Sequence, residues 1–252
     1  MSTDPSISPE VVQGSPNVPV EEAIHSSSAE ILATAAAHSS LNEDLALTLL
    51  KRSDLPGDVL ERLSKNASAM KSRKVKLALV EHPKTPRHVS LPMVRHLFTF
   101  DLTHVALTPA VPADVKAVAD ETLCNRMETI TSGERLTLAH RASGRVAAEL
   151  LSDSESRVIQ AALENSRLTE AYVIKAVMAT DASAAFVHVV CHHAKWSLRR
   201  EVRIALLRNQ HTPLARALEF ARTLPAALVK EVLHGSRLPV NVKENLLKSL
   251  NA

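Results

Sequence analysis

The chain has 252 residues, with 30 Lys and Arg against 27 Asp and Glu for a formal charge of +3, and it is 45% hydrophobic with only four Phe, one Tyr and one Trp. That length buries a sizeable core, as one or two compact domains or as an elongated array, and Ala, Leu, Val and Ile must build nearly all of it. Five Gly and two Cys leave little room for tight hairpins or glycine-rich phosphate loops and exclude a disulfide framework.

From Met1 to Ser28 the sequence is rich in Ser, Pro and Val without sustained periodicity, which predicts a flexible acidic extension ahead of a helical domain over 29–252. The opening "MSTDPSISPE" lacks the basic-then-apolar order of a secretory signal, and no run of about 18 apolar residues occurs, so a cytoplasmic protein without membrane association is expected. Cys124 and Cys191 read as small buried hydrophobes. Charge is uneven along the chain. Residues 1–50 hold Asp4, Glu10, Glu21, Glu22, Glu30, Glu43 and Asp44 and no Lys or Arg, whereas residues 195–252 are rich in bases. Opposite charge allows the acidic head to fold back on the basic tail and mask it.

Helix starts are signalled by capping boxes at Ser27 to Glu30, Ser40 to Glu43, Thr131 to Glu134 and Ser152 to Glu155. Between them a frame recurs in which a helix ends in Leu or Val, a polar corner follows, and a proline opens the next helix: "LKRSDLP" to Pro56, "VEHPKTP" to Pro86, "LTPAVP" to Pro112, "LRNQHTP" to Pro213 and "LHGSRLP" to Pro239. The gap between Pro112 and Pro213 has room for four units of about 25 residues. "LENSRLT", with Thr169 in place of Pro, and "LAHRASG" at 138–144 occupy two of the expected places, and 170–212 is expected to contain an extra or longer helix. Thr85 and Thr212 are predicted to cap the following helix, with proline at its first position. Leu198, Val202, Ala205 and Leu206 fall on one helical face, as do Ala217, Leu218, Ala221 and Leu224. No segment reads as a strand.

Units this short cannot bury their own apolar faces and must stack on neighbours. The stretches "VKLALVEHPKTP" and "VRIALLRNQHTP" resemble the HEAT-like superfamily, most of all the leucine-rich repeat variant type, whose units carry a Val-Arg-x-x-Leu-Ala helix, an Asn-Pro-like corner and a Thr-Pro helix start. The resemblance covers roughly residues 45–250. It implies an all-α fold, a right-handed α-solenoid of stacked helical hairpins. Some members of that type hold an iron–sulfur cofactor on a cysteine cluster that this sequence lacks, so no cofactor is expected.

The densest chemistry is "HVVCHH" at 188–193. His188 and His192 stand one helical turn apart and could share a metal with Cys191 or His193, but nothing completes the set at ligand spacing. Adjacent helical residues point about 100° apart, so Cys191 cannot face His192 as a nucleophile and base. Asp153 and Glu155 are explained by helix capping. Neither a metal site nor a catalytic residue is expected.

In "KWSLRREVR", Lys195, Arg199 and Arg203 form one row if the helix reaches back to Lys195; if Ser197 caps it, Arg199, Arg200 and Arg203 crowd its first turns, against the macrodipole. Together with Arg208 and Arg216 around the next corner they are the candidate partner-binding residues. The reading that follows is a non-enzymatic scaffold or adaptor that binds a macromolecule, a protein with an acidic surface first. The alternative is nucleic acid held by its phosphates. Some HEAT-like solenoids are DNA glycosylases that use several aromatics around the lesion, and one Trp and one Tyr match them poorly.

Overall fold

The computed structural model describes residues 19–250. All regular structure among them is helical: α1 (Val20–Ala23), α2 (Ala29–Ala37), α3 (Glu43–Leu50), α4 (Gly57–Ser64), α5 (Arg73–Glu81), α6 (Arg87–Val94), α7 (Thr99–Leu107), α8 (Ala113–Asn125), α9 (Ser132–Arg141), α10 (Gly144–Glu149), α11 (Ser156–Glu164), α12 (Glu170–Met178), α13 (Ala184–His192), α14 (Arg200–Arg208), α15 (Leu214–Arg222), α16 (Ala226–His234) and α17 (Val240–Leu250). None of these helices is long and apolar enough to cross a membrane. Residues 170–212 hold α12, α13 and α14, each of nine residues, the same density of helices as in residues 43–85, so the extra or longer helix expected there is not seen.

Two compact units, Met1–Ser90 and Leu91–Ala252, divide the chain. The division falls inside α6, where Pro92 has no N–H to give to the helix ladder. Of the stretch read as an acidic extension, residues 1–18, with Asp4 and Glu10, lie outside the described residues. The remainder forms α1, and Val20, Ala23 and Ile24 are buried. In this first unit α2 packs on α4 and α3 on α5. Arg52 fastens the turn after α1, donating to the carbonyls of Ile24 and Ser26 at 2.8 Å each while its other nitrogens grip Asp54 at 3.0 and 2.7 Å.

In the second unit α8 packs on α7 and α10, α10 on α12, α12 on α14 and α14 on α16, while α9 packs on α11, α11 on α13 and α15 on α17. A helix thus buries its apolar stripe largely against the helix two places along the chain. The core is mostly aliphatic, as composition requires, and the large aromatics in it are Phe186, Trp196 and Phe220. Trp196 donates its indole N–H to the Leu163 carbonyl at 2.8 Å.

One device builds most corners. A polar residue just after a helix (His38, Asn66, His82, Asn165, His193, Asn209 or Ser236) accepts the backbone N–H two residues on, at 2.8–3.3 Å. Several also donate to a carbonyl 23–32 residues earlier. The Asn66 amide reaches Ala36 at 3.0 Å and His38 at 2.9 Å, and the Asn165 amide reaches Ala139 at 2.8 Å and Ala142 at 3.2 Å. Asn209 reaches Val177 at 2.6 Å, Ser236 reaches Leu207 at 2.7 Å, and His82 Nε2 reaches Arg52 at 2.9 Å. Since His82 Nδ1 accepts from Lys84, its proton sits on Nε2. These side chains are buried, and each satisfies main-chain groups that a short helix leaves without an intrahelical partner.

The capping expectations fare unevenly. The box at Thr131 and Glu134 is present in full. The others are displaced: Asn42 caps α3 through the Leu45 N–H, Ser28 precedes α2 without a side-chain cap bond, and Glu155 precedes α11 with its carboxylate drawn to Arg135 and Arg157. Thr85 and Thr212 point backward rather than forward. Their buried hydroxyls donate to Leu79 and Leu206 at 2.6 Å, closing the preceding helix. Proline stands one place earlier than predicted: Pro56, Pro112 and Pro213 are N-cap residues with extended ψ of 151°, 149° and 141°.

Candidate functional site

α14 begins at Arg200, with Arg199 as N-cap and no side-chain cap bond. Lys195, Arg199 and Arg203 therefore do not share a helical row, and Ser197 is not the cap. Lys195 sits in the preceding turn with Nζ 4.0 Å from the Trp196 ring centroid. Leu198, expected on the buried face, is 68% exposed because it lies in that turn.

The six predicted basic residues separate into two groups. Arg203 and Arg216 face inward. Arg203 donates to the Ser197 carbonyl at 2.7 Å and to the Thr223 hydroxyl at 2.9 Å. Arg216 donates to the Cys191 carbonyl and pairs with Glu219 at 2.5 Å, linking α15 to the end of α13. Both guanidinia stand over the Phe220 ring, at 5.7 and 5.0 Å. Lys195, Arg199 and Arg200 are exposed, and Arg208 is half-buried. The Arg203–Thr223 bond sets the start of α14 against the end of α15, so the exposed Arg222 joins the same edge. Glu201, 3.7 Å from Arg200, leaves that edge mixed in charge.

In "HVVCHH" the His188 and His192 ring centroids are 4.3 Å apart, and His192 Nδ1 donates to the His188 carbonyl at 2.8 Å. His193 accepts from Lys195 and Trp196, and burial pushes its pKa below the usual imidazole value. Cys191 is buried as expected, whereas Cys124 is only half-buried. Desolvation pushes both thiols up to about 11, which leaves little thiolate at neutral pH. Among the described residues no group of three or more His, Cys, Asp and Glu could hold a metal ion.

Two features escaped the sequence. Arg135 pairs with Asp153 at 2.7 Å and Glu155 at 3.1 Å, and Arg157 closes on Glu155 at 2.7 Å, an ionic latch across the α10–α11 turn. The second is an open cleft of about 730 Å³ lined from α7 by Phe100, Thr103, His104 and Leu107, from the corner by Thr108 and Pro109, and from α9 by Thr137, Leu138 and Arg141. Phe98 and Phe100 are 62% and 47% exposed, whereas Phe186 and Phe220 are buried. The only signal for it was "LFTF", half of the chain's phenylalanines within three positions.

No family model, no curated protein and no solved structure matches this chain.

Proposed function

We propose that the chain is a non-enzymatic helical-repeat scaffold, a HEAT-like α-solenoid whose hairpins are fastened by the corner residues and whose surface binds another protein. The recurrence of donor bonds to a carbonyl roughly one unit of 25–30 residues back, made by Asn66, His82, Asn165, Asn209 and Ser236, supports the repeat architecture. The raised thiol pKa values favour a structural use of Cys124 and Cys191 over a nucleophilic one.

The observation that carries the binding function is the placement of Arg199 and Arg200. Both are exposed at the start of α14, where no side chain caps the helix and cations oppose the macrodipole. A locally unfavourable choice of this kind is retained where a partner uses it. With Arg203 and Arg216 committed to their own main chain and Glu201 beside Arg200, the edge is too broken for a track of phosphates and suits the acidic rim of a protein interface.

Reversing both charges, Arg199→Glu with Arg200→Glu, tests this. Each new carboxylate would favour the helix start by about 0.3–1 kcal/mol, so the variant should unfold at slightly higher urea than the wild type while losing at least tenfold in affinity for a protein captured on the full-length chain. Unchanged affinity for that protein would refute the assignment. Loss of nucleic-acid binding alone would transfer the edge to the phosphate reading.

A further inference from the structure

We propose that His188 and His192, at the end of α13, form a surface chelate for a divalent transition-metal ion that prefers imidazole, copper(II) ahead of nickel and zinc. This goes beyond the protein-binding reading and does not depend on it.

Spacing alone offers too few ligands for a closed site, but the structure shows what spacing cannot. Of the chain's 12 histidines, His188 and His192 are the one pair that stands three or four places apart. α13 runs unbroken from Ala184 to His192, so both rings leave the same face of one helix. Both are exposed, and they meet at 4.3 Å between centroids with a tilt of 38°. Two imidazole nitrogens that each lie about 2.0–2.1 Å from one ion bring their rings into near contact, and these rings are in near contact already.

The tautomer is set as well. His192 Nδ1 lies 2.8 Å from the His188 carbonyl oxygen, which can only accept, so Nδ1 carries the proton and Nε2 keeps its lone pair. A histidine that gives its far N–H to a main-chain carbonyl is held as metal-bound histidines are. Among the described residues the His188 ring contacts His192 and makes no hydrogen bond. His193 is not a third ligand on this face, because its Nδ1 accepts the main-chain N–H groups of Lys195 and Trp196, and Cys191 is buried. The protein therefore contributes two nitrogens and leaves the other positions to water.

The place in the helix favours a cation. His192 is the last residue of α13, where the final carbonyls carry the negative end of the macrodipole. One turn back, Ala184 and Ala185 are exposed and bear only methyl groups, so no long side chain of the preceding turn crowds the rings. Copper(II) stands first in the order of divalent affinities, and its square of nitrogen and oxygen ligands accommodates two adjacent imidazoles with water completing it.

The test is a titration of the full-length chain, carrying no histidine tag, with copper(II) chloride. Bound copper quenches a nearby indole, and Trp196, the chain's one tryptophan, follows His192 by four residues. Expected are saturable quenching at one equivalent, a paramagnetic resonance spectrum with two imidazole nitrogens, and a copper-dependent rise in the urea midpoint read by circular dichroism, since the unfolded chain does not hold the rings together. His188→Ala and His192→Ala should each weaken binding at least tenfold, and the double variant little further, because a chelate is lost with either ring. His234→Ala removes an exposed histidine elsewhere and should leave binding unchanged. Copper-free circular dichroism and urea midpoints check that each variant folds. Loss of one ring that halves the stoichiometry at unchanged affinity would make the histidines independent and overturn the chelate. So would copper held on a single nitrogen or on main-chain amides, an equal loss in His234→Ala, or a urea midpoint that copper does not raise. None of these outcomes bears on the Arg199–Arg200 edge.

Discussion

Asn165 concentrates the structural logic of the corners in one side chain. It is 1% exposed, donates to the carbonyls of Ala139 at 2.8 Å and Ala142 at 3.2 Å, and accepts the Arg167 N–H at 2.8 Å. Asn165→Ala removes all three bonds and leaves buried main-chain groups orphaned at about 1–3 kcal/mol each. Allowing for partial relaxation, the loss should total about 3 kcal/mol, a large share of the 5–15 kcal/mol by which domains are stable. With a urea slope of about 2 kcal/mol/M, the midpoint should fall by about 1.5 M. Trp196 is the natural reporter, because its indole bonds Leu163 in the last turn of α11, just before Asn165, and its fluorescence follows the same corner. Asn165→Asp sharpens the test. The carboxylate keeps the Arg167 contact but faces two carbonyl oxygens, so its folded pKa is raised. The folded state then binds more protons than the unfolded one, and stability falls as pH rises from about 4 through the raised value. The Asp variant should be weaker than the Ala variant at pH 7 and recover toward pH 4. An Ala variant within about 0.5 kcal/mol of wild type, no worse than Asn245→Ala on the exposed surface, would refute the reasoning.

Other substitutions follow the same physics. Gly144→Ala would drive a Cβ into the Arg167 carbonyl, with Tyr172 close behind, and should cost about 1–3 kcal/mol by urea unfolding, whereas Gly133→Ala, with open space around it, should not destabilise. Arg203→Glu would replace a donor to Ser197 with an acid and cut the link to Thr223, lowering stability by about 2–3 kcal/mol, in contrast to the stabilising exchange at Arg199. The Asp54 carboxyl, gripped by Arg52, is held down to about 2. Its contribution is present above the unfolded value near 3.9 and is lost as pH falls through 2, so NMR titration should place its midpoint near 2, returning toward 3.9 in Arg52→Ala.

Much of the helical frame was legible because it is written in local chemistry. Pro56, Pro112 and Pro213 mark helix starts wherever the chain folds, and the Thr131 box needs only residues three apart. What could not be read is whether a hydroxyl accepts an N–H of the following helix or donates to a carbonyl of the preceding one. Thr85 and Thr212 sit beside a helix start and a helix end, and tertiary burial chose the end. The corner residues were in plain view as His82, Asn165 and Asn209, each the first residue after a helix, but prolines drew the frame and the partner carbonyls lie 23–32 residues away. Arg203 and Arg216 look like solvated cations in sequence, since nothing local tells a guanidinium facing water from one facing its own main chain. The cleft is invisible there because its walls come from α7 and α9, about thirty residues apart in the chain.

The claim that the surface serves a protein rather than phosphates is tested most directly by titrating the full-length chain, side by side, with duplex DNA and with a protein captured on it, from about 50 to 200 mM salt. The account predicts protein binding that keeps most of its affinity across that range, because rim charges mainly set the on-rate, and only weak DNA binding. Tight duplex binding that falls with a log–log slope of about −0.9 per phosphate contacted, with no protein held at the upper salt, would contradict it.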